Sequence, residues 1–181
     1  MKDDADTVPF CSYQTIGDCY VAVCGLPERC DDHAVRMIMF SKHMLQIFHK
    51  VQEELGARLQ TQNLGLRTGI HSGSVTAGVL RGEKARFQLF GDSVNTTARH
   101  ESLGKPGRIH ISKQTAELLK TAGYHDWIRP RKHKVTAKGK GQLETWWVNL
   151  PEDRERFSLE HESSFSRRRN FWGSFFGSSQ K

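Results

Sequence analysis

The stretch FQLFGDSVNTTARHESLGKPGRIHIS, residues 87–112, contains the pattern that decides the fold of this chain. A short apolar run leads into a Gly-Asp pair, a polar segment follows, and Gly104 precedes the alternating run 108–112. A glycine directly after a helical segment is typical of a helix end, and alternation of apolar and polar residues is typical of a strand. The stretch therefore predicts a strand, a helix over about 93–103 and a second strand.

The same alternation of strands and helices extends outward in both directions. Two strands are predicted around Gly17-Asp18 in 13–27, two more in 64–80 broken at 71–73, and one at 85–90. A helix over 32–55, which Asp31 or Asp32 caps, is predicted from an apolar stripe at positions 34, 38, 44, 48, 51 and 55, with a serine at 41. A helix over 113–123 that Ser112 caps and Gly123 ends, and a hairpin over 133–150, complete the series. This order predicts an α/β or α+β sandwich, with one mixed sheet backed by helices.

Charge and hydropathy set limits on the class of protein. The net charge is +7, and basic residues concentrate in 129–141 and 166–172, which favours a phosphate-bearing or other anionic partner. Nucleic-acid binding is not expected, because only Trp127 and the pair Trp146-Trp147 accompany the basic hairpin. No apolar run approaches the roughly 20 residues of a membrane span, and the N-terminus is acidic and polar. We expect a cytoplasmic domain, which in full length could be the cytosolic part of a membrane-bound protein.

Four cysteines lie at positions 11, 19, 24 and 30. Their spacing is wider than that of the close cysteine pairs in most structural zinc sites. We therefore expect reduced, partly buried thiols rather than a metal site.

Asn95 and Arg99 lie four residues apart, so they share one face of the predicted helix. On its own, such a pair would indicate only a solvated helix face with an ordinary surface arginine. Here Asp18 follows a glycine at a predicted strand turn, where a carboxylate can reach Mg²⁺, and Lys138 lies in a glycine-flanked turn, where a cation can approach phosphate. A carboxylate, a guanidinium, an amide and a turn lysine together indicate phosphoryl chemistry.

These stretches resemble the catalytic domain of the class III nucleotidyl cyclases, the adenylate and guanylate cyclase family. The resemblance is carried, in family order over roughly residues 13–149, by QTIGDCYVAVCGLP, LRTGIHSGSVTAGVL, FQLFGDSVNTTARHESLGKPGRIHIS and AKGKGQLETWWV. It implies a ferredoxin-like α/β sandwich with active sites at the interface of two domains arranged head to tail, as a homodimer or a heterodimer.

The resemblance also implies roles for individual residues in converting a purine nucleoside triphosphate to a 3′,5′-cyclic nucleotide and pyrophosphate. Asp18 resembles the second of two aspartates that bind Mg²⁺ or Mn²⁺, with two ions in each complete site. Asn95 resembles the residue that orients the ribose, and Arg99 the one that stabilises charge at the α-phosphate. Lys138 matches the lysine that holds the terminal phosphates.

Two positions that resemble base-reading residues hold glutamine. Guanylate cyclases have glutamate and cysteine there, and adenylate cyclases have lysine and aspartate, whereas this chain has Gln14 and Gln88. A glutamine amide both donates and accepts, so it can satisfy either purine edge, although both could also be ordinary polar strand residues. The sequence LFGDSVNTTAR resembles guanylate cyclases somewhat more than adenylate cyclases, which favours GTP over ATP as the substrate.

The first metal aspartate of the family has no counterpart among the residues that precede Asp18. The resemblance therefore implies a cyclase domain over 13–150 that lacks the strand bearing this aspartate. Residues 1–12 show no regular pattern and are predicted to be irregular, and the Ser-, Arg- and Glu-rich composition of 151–181 predicts a mostly disordered tail. The tail sequence FWGSFFG could instead dock on a partner or a membrane. The alternative to an enzyme is a catalytically inactive cyclase-like domain that dimerises and regulates a partner.

Overall fold

The computed structural model describes residues 10–59, 64–80, 86–132, 134–137 and 141–149, with the side chains of 10–14, 55–59, 86–87 and 137 left undescribed. These residues belong to one unit, Pro9–Asn149. Its elements are β1 (Phe10–Ile16), β2 (Cys19–Cys24), α1 (His33–Leu59), β3 (Thr68–Ile70), β4 (Thr76–Leu80), β5 (Arg86–Phe90), α2 (Asp92–Ser102), β6 (Ile109–Ser112), α3 (Lys113–Thr121), a short 3-10 helix (His125–Trp127), β7 (Ile128–Pro130), β8 (Val135–Ala137), β9 (Gly141–Leu143) and β10 (Thr145–Val148).

A four-stranded mixed sheet in the order β3-β6-β10-β7 contains much of the core. β3 runs parallel to β6, and β10 runs antiparallel to both of its neighbours. Successive side chains of a strand point to opposite faces, so His110 and Trp147 face α2, whereas Ile111 and Trp146 face α3. Because α1 packs on α3, the sheet lies between α2 on one face and α1 with α3 on the other. The predicted mixed sheet backed by helices is confirmed.

The remaining strands form three separate two-stranded sheets, β1-β2, β4-β5 and β8-β9, where we expected a single sheet. The predicted hairpin over 133–150 also divides at Glu144, after which β10 joins the central sheet. The physical reason is burial: Trp147 and Val148 are buried in the core, whereas Gly141 and Gln142 are exposed.

The long helix α1 buries its N-terminal half. Ala34, Ile38 and Ser41 of the predicted stripe are buried together with Val35, whereas Val51, further along the stripe, is 40% exposed. The helix begins at His33 as expected and continues four residues beyond the predicted end. Within the described residues, no helix combines the length and the apolar character that crossing a membrane requires.

The helix α2 lies very close to β3, because Gly69 has no side chain. A Cβ at this position would collide with the backbone of Glu101 in the last turn of α2. At the other end of the helix, Ser93 Oγ donates to the carbonyl of Ser74 at 2.7 Å. The two contacts fix both ends of the helix that carries Asn95 and Arg99. The predicted cap of α3 is confirmed as well, since Ser112 Oγ accepts from the amide of Thr115.

A column of aromatic rings fills the space between α2 and the central sheet. Ring centroids are 5.3 Å apart for His100 and His110, and 4.7 Å apart for His110 and Trp147. His110 Nδ1 lies 2.7 Å from the carbonyl oxygen of His100, and since a carbonyl only accepts, Nδ1 carries the hydrogen. The pKa of His110 is lowered to about 4, mainly by burial and to a smaller extent by the charges of His100 and Arg131, against the raising effect of the hydrogen bond to the His100 carbonyl. His110 is therefore neutral in the folded protein near neutral pH.

Candidate active site

Three predicted site residues lie on consecutive elements, β5 and α2. Asn95 is exposed and Arg99 partly exposed on the same face of α2, and Gln88 is partly exposed on β5. Gln88 pairs with Gly78 of β4. A Cβ added at Gly78 would have no other atom within 4 Å, so this face of the two-stranded sheet β4-β5 is open. Within the described residues, the side chains of Asn95 and Arg99 make no hydrogen bond or ion pair. The amide and the guanidinium are available to a bound molecule.

Asp18 lies in the two-residue turn between β1 and β2, as predicted. Gly17 adopts a left-handed conformation with φ +62°, which glycine tolerates at no steric cost, and the exposed Asp18 follows it. No hydrogen bond or ion pair in the described part of the chain joins Asp18 to Asn95 or Arg99. The turn and the α2 face are therefore two distinct parts of the candidate site.

An ion pair that we did not predict lies beside the Asp18 turn. Arg67 Nε, just before β3, donates to Glu101 Oε1 in the last turn of α2 at 2.8 Å. This hydrogen bond and the charge of Glu101 raise the pKa of Arg67, and the charge of Asp18 raises it further. Glu101 and Asp18 likewise add to burial in raising the pKa of the Cys19 thiol. The Arg67 guanidinium thus lies near the turn that carries Asp18, at the C-terminal end of α2.

Two of the predicted residues are placed only in part. Gln14 lies in β1 opposite Val21, but its side chain is outside the described residues. Lys138 is also outside the described residues, in the connection between β8 and β9. These two strands pair antiparallel, with Val135 opposite Leu143 and Ala137 opposite Gly141. The hairpin that we expected to carry Lys138 is therefore confirmed, whereas the contacts proposed for this lysine stay a prediction.

A cavity of about 530 Å³ lies on another face of α2. Asp92, Thr96 and His100 line it from the helix, and Lys113 and Lys134 line it from α3 and the loop before β8. Asn95 and Arg99 are not among its lining residues. The candidate site is thus an open surface rather than this cavity, as expected of a site completed by a second domain.

The donor set near Asp18 does not fit a complete divalent metal centre. Hard cations such as Mg²⁺ need several oxygen ligands, and two-metal sites hold their ions with more than one carboxylate. In the described ranges, no three side chains of His, Cys, Asp or Glu are grouped so that they could hold a metal ion. Asp18 supplies one carboxylate, and the other acidic group near it, Glu101, is paired with Arg67.

Comparison with protein families gives a match over residues 7–150, to the adenylate and guanylate cyclase catalytic domain. Among curated proteins, the receptor-type guanylate cyclase gcy-28 of Caenorhabditis elegans is 43% identical over 152 residues, covering 80% of this chain and 11% of the relative. The chain thus spans about a tenth of the length of this relative.

Solved structures of cyclase domains share the fold. The guanylate cyclase domain of RhGC from Catenaria anguillulae in complex with GTP has a TM-score of 0.60 and 33% identity, with 77% of this chain and 71% of that chain covered. A non-canonical dimeric guanylyl cyclase domain of the RhoGC fusion protein from the aquatic fungus Blastocladiella emersonii has a TM-score of 0.54 and 30% identity, with 75% of this chain and 68% of that chain covered.

Proposed function

This chain belongs to the adenylate and guanylate cyclase catalytic domain family, and on that premise we propose that it contributes a half-site to a purine nucleotide cyclase. The observation that carries the proposal is the exposed α2 face, where Asn95 and Arg99 lie one turn apart, with Gln88 on the preceding strand β5. The substrate is a purine nucleoside triphosphate. GTP is favoured over ATP because the relatives and solved domains reported above are guanylate cyclases.

In the proposed reaction, the ribose 3′-oxygen attacks the α-phosphorus, loses its proton and displaces pyrophosphate. Asn95 orients the ribose, and Arg99 stabilises the negative charge that develops on the α-phosphate oxygens. Lys138 holds the terminal phosphates, and Gln14 and Gln88 contact the base. Since the leaving group departs as the ring closes, no covalent enzyme intermediate is required.

Members of this family generally use divalent metal ions, and we propose that Asp18 contributes one ligand for Mg²⁺ or Mn²⁺. Its exposure in a turn supports this role, since an ion and phosphate oxygens could both reach it. A site with two ions would need a further carboxylate from outside the described residues. We therefore derive no step of the reaction from a metal ion.

The sheet topology supports the proposal that the cyclase domain, residues 13–150, lacks a strand. Among the described strands, β2 pairs only with β1, and β3 pairs only with β6. α1 connects β2 to β3 and packs on both, a crossover that normally joins parallel strands of one sheet. An additional strand could pair with both free edges. In the family resemblance, the missing strand carries the first metal aspartate.

The proposed partner is a second cyclase domain, in a head-to-tail homodimer or heterodimer. The two-stranded sheet β4-β5 exposes Leu80 and Phe90, which are 49% and 40% exposed, on the same face as Gln88. An apolar group of this kind at the edge of a site supports burial against another protein surface. One solved relative is described as a non-canonical dimer and, in another structure, as a monomer, so this comparison supports self-association without fixing its arrangement. In such a dimer, Asp18 of one protomer would face Asn95 and Arg99 of its partner.

A second function, that of an inactive regulatory domain, has one specific observation in its favour. The described residues contain no acidic cluster that could complete a metal site around Asp18. In this case the chain would dimerise with an active cyclase domain and supply it with Asn95 and Arg99, without a second working site of its own.

The proposed function can be tested with a chimeric domain, in which residues 13–149 replace the matching segment of the gcy-28 catalytic domain. This chimeric domain retains the upstream part of the relative. We expect it to form cyclic GTP, and to lose this activity when both Asn95 and Arg99 are changed to alanine. If the chimeric domain is folded and dimeric but inactive while the relative is active, the inactive regulatory function is favoured instead.

A further inference from the structure

Two cysteines lie at the junction between β2 and α1, away from the candidate site residues. Cys24 is the last residue of β2, and Cys30 precedes α1 by three positions. Cys24 is partly exposed and Cys30 is 8% exposed, and neither forms a disulfide bond. The five residues 25–29 connect them, so the chain turns back on itself between the two side chains.

The turn brings the two cysteines into contact. An ideal Cβ built at Gly25, the neighbour of Cys24, would lie 4.0 Å from the Cβ of Cys30. The thiols of Cys24 and Cys30 are within hydrogen-bond reach of each other. Disulfide bonds require the two Cβ atoms to lie about 3.5–4.5 Å apart, and the contact between Gly25 and Cys30 places Cys24 one residue from that position.

The surroundings give the two thiols different reactivity. Cys30 Sγ donates to Asp32 Oδ1 at 2.9 Å, and Asp32 also accepts from Arg36 Nε at 2.7 Å. Burial, together with the hydrogen bonds to Asp32 and Cys24, raises the pKa of Cys30 to about 12. Since thiolates rather than thiols are the nucleophiles, and Cys30 is shielded from solvent, a reagent in solution meets Cys24 first.

We propose that Cys24 and Cys30 are a redox modification site, which a small disulfide oxidant such as oxidised glutathione converts to an intramolecular disulfide. The Cys24 thiolate attacks one sulfur of the oxidant, which releases one glutathione thiolate and leaves a mixed disulfide on Cys24. Cys30 then loses its proton to solvent by way of the Asp32 carboxylate and attacks the Cys24 sulfur, which releases the second glutathione. Two protein thiols are oxidised and one glutathione disulfide is reduced to two thiols.

The disulfide would tie the end of β2 to the start of α1. Because it closes a loop of about seven residues, it restricts the unfolded chain, and we expect a rise in Tm of several degrees. The hydrogen bond from Cys30 to Asp32 would be lost, but Arg36 would still hold Asp32 through contacts to both carboxylate oxygens at 2.7 Å. The start of α1 therefore does not depend on the reduced thiol.

The test is peptide mapping of the folded chain after incubation with oxidised glutathione. Arg29 lies between the two cysteines, so trypsin separates the peptide 3–29 from the peptide 30–36 unless a disulfide joins them. We expect to detect the two peptides joined, with a mass 2 Da lower than the sum of their thiol forms. The joined peptides should appear both in the unchanged chain and in a double variant with Cys11→Ser and Cys19→Ser. Dithiothreitol should separate them.

The control variant is Cys24→Ser, in which the joined peptides should be absent although exposed Cys19 is retained. Three results would overturn the proposal: a link to residue 30 through position 11 or 19, glutathione adducts on Cys24 without a link, or a link that forms only in denaturant. The Tm of the oxidised double variant provides a second measurement, and a Tm at or below that of the reduced form would also contradict the proposed tether.

Discussion

Asn95 and Arg99 are expected to act on the transition state rather than on substrate binding. In the chimeric domain, Arg99→Ala should lower kcat by about 10²–10³, with a smaller change in KM, because the charge that Arg99 meets develops during the reaction. Asn95→Ala should also lower kcat more than it changes KM. Steady-state kinetics with GTP measure both effects. A change in KM alone would show that the assigned roles are wrong.

Lys105→Ala provides a matched control for these substitutions. Lys105 is exposed just beyond the end of α2 and lies outside the proposed site. Its replacement removes a similar charge from an exposed position near the same helix, so both kinetic constants should stay within about twofold of the parent, which is the ordinary range for surface substitutions.

Gln14 and Gln88 are expected to determine which purine is accepted. Each amide can present its oxygen or its nitrogen, so the parent chimeric domain should discriminate poorly between GTP and ATP. Gln14→Glu should favour GTP, since a carboxylate accepts from guanine N1 and N2, and Gln14→Lys with Gln88→Asp should favour ATP. The ratio of kcat/KM values should change by roughly 10- to 100-fold. A parent selective by more than a thousandfold, or unchanged ratios, would show that other residues read the base.

His110 is expected to make the protein less stable in acid. Its pKa is lowered from 6.5 to about 4 in the fold. Between these two pH values the unfolded chain binds a proton that the folded chain does not, so the free energy of unfolding falls as the pH falls from 6.5 towards 4, by about 2–3 kcal/mol in total. Urea denaturation at a series of pH values measures this slope.

The variant His110→Asn should show a shallower slope over this range, because asparagine does not titrate and its amide can still donate to the carbonyl of His100. His125, which is exposed, provides the control, and His125→Asn should leave the slope unchanged. Equal slopes in the chain and in His110→Asn would contradict this origin of the acid sensitivity.

At the scale of elements, the approach of α2 to β3 depends on Gly69. Gly69→Ala should lower the free energy of unfolding by more than about 2 kcal/mol, because the new methyl group meets backbone rather than a flexible side chain. Gly78→Ala is the matched control, since it adds the same group to a strand where nothing lies within 4 Å. Urea denaturation of both variants provides the comparison, and equal effects would contradict the close approach.

Periodicity predicted the elements well where each of them buries its own apolar residues. The buried Ala34 and Ile38 lie on the predicted stripe of α1, and Ser112 caps α3 as its position before the helix indicated. Pairing between strands was predicted less well. Whether β9 and β10 form one strand or two depends on the burial of Trp147 against β6, and no local pattern around Glu144 reports this.

The candidate site was predictable to the extent that its residues are neighbours in sequence. Asn95 and Arg99 are four positions apart, so helical geometry alone places them on one face. Arg67 and Glu101 are separated by 34 positions, and only the packing of α2 on β3 brings them together beside Asp18. The one available signal was that Arg67 starts the stretch RTGIHSG, one of those that carry the family resemblance. For Lys138 and Gln14, the assigned contacts stay predictions.

At the scale of the whole molecule, this chain alone should form little or no cyclic nucleotide. The reason is that its described residues offer Asp18 without the further carboxylates of a metal site. The measurement is cyclic GTP and cyclic AMP formation with Mg²⁺ and with Mn²⁺ at high protein concentration, with the gcy-28 catalytic domain as the positive control. Turnover near 1 s⁻¹, within the ordinary enzyme range, would contradict this expectation.

The division into four sheets also determines how the molecule folds. β1-β2, β4-β5 and β8-β9 each join strands that are close in sequence, whereas β3 and β6 are about forty residues apart. The three hairpins can therefore form and open locally, while the central sheet requires closure of a long loop and behaves as the cooperative unit. Amide hydrogens of β6 should exchange with solvent only on global unfolding, and those around Asp18 through local opening. The turn that carries Asp18 and the face of α2 that carries Asn95 and Arg99 thus belong to parts of the molecule that open with different free energies.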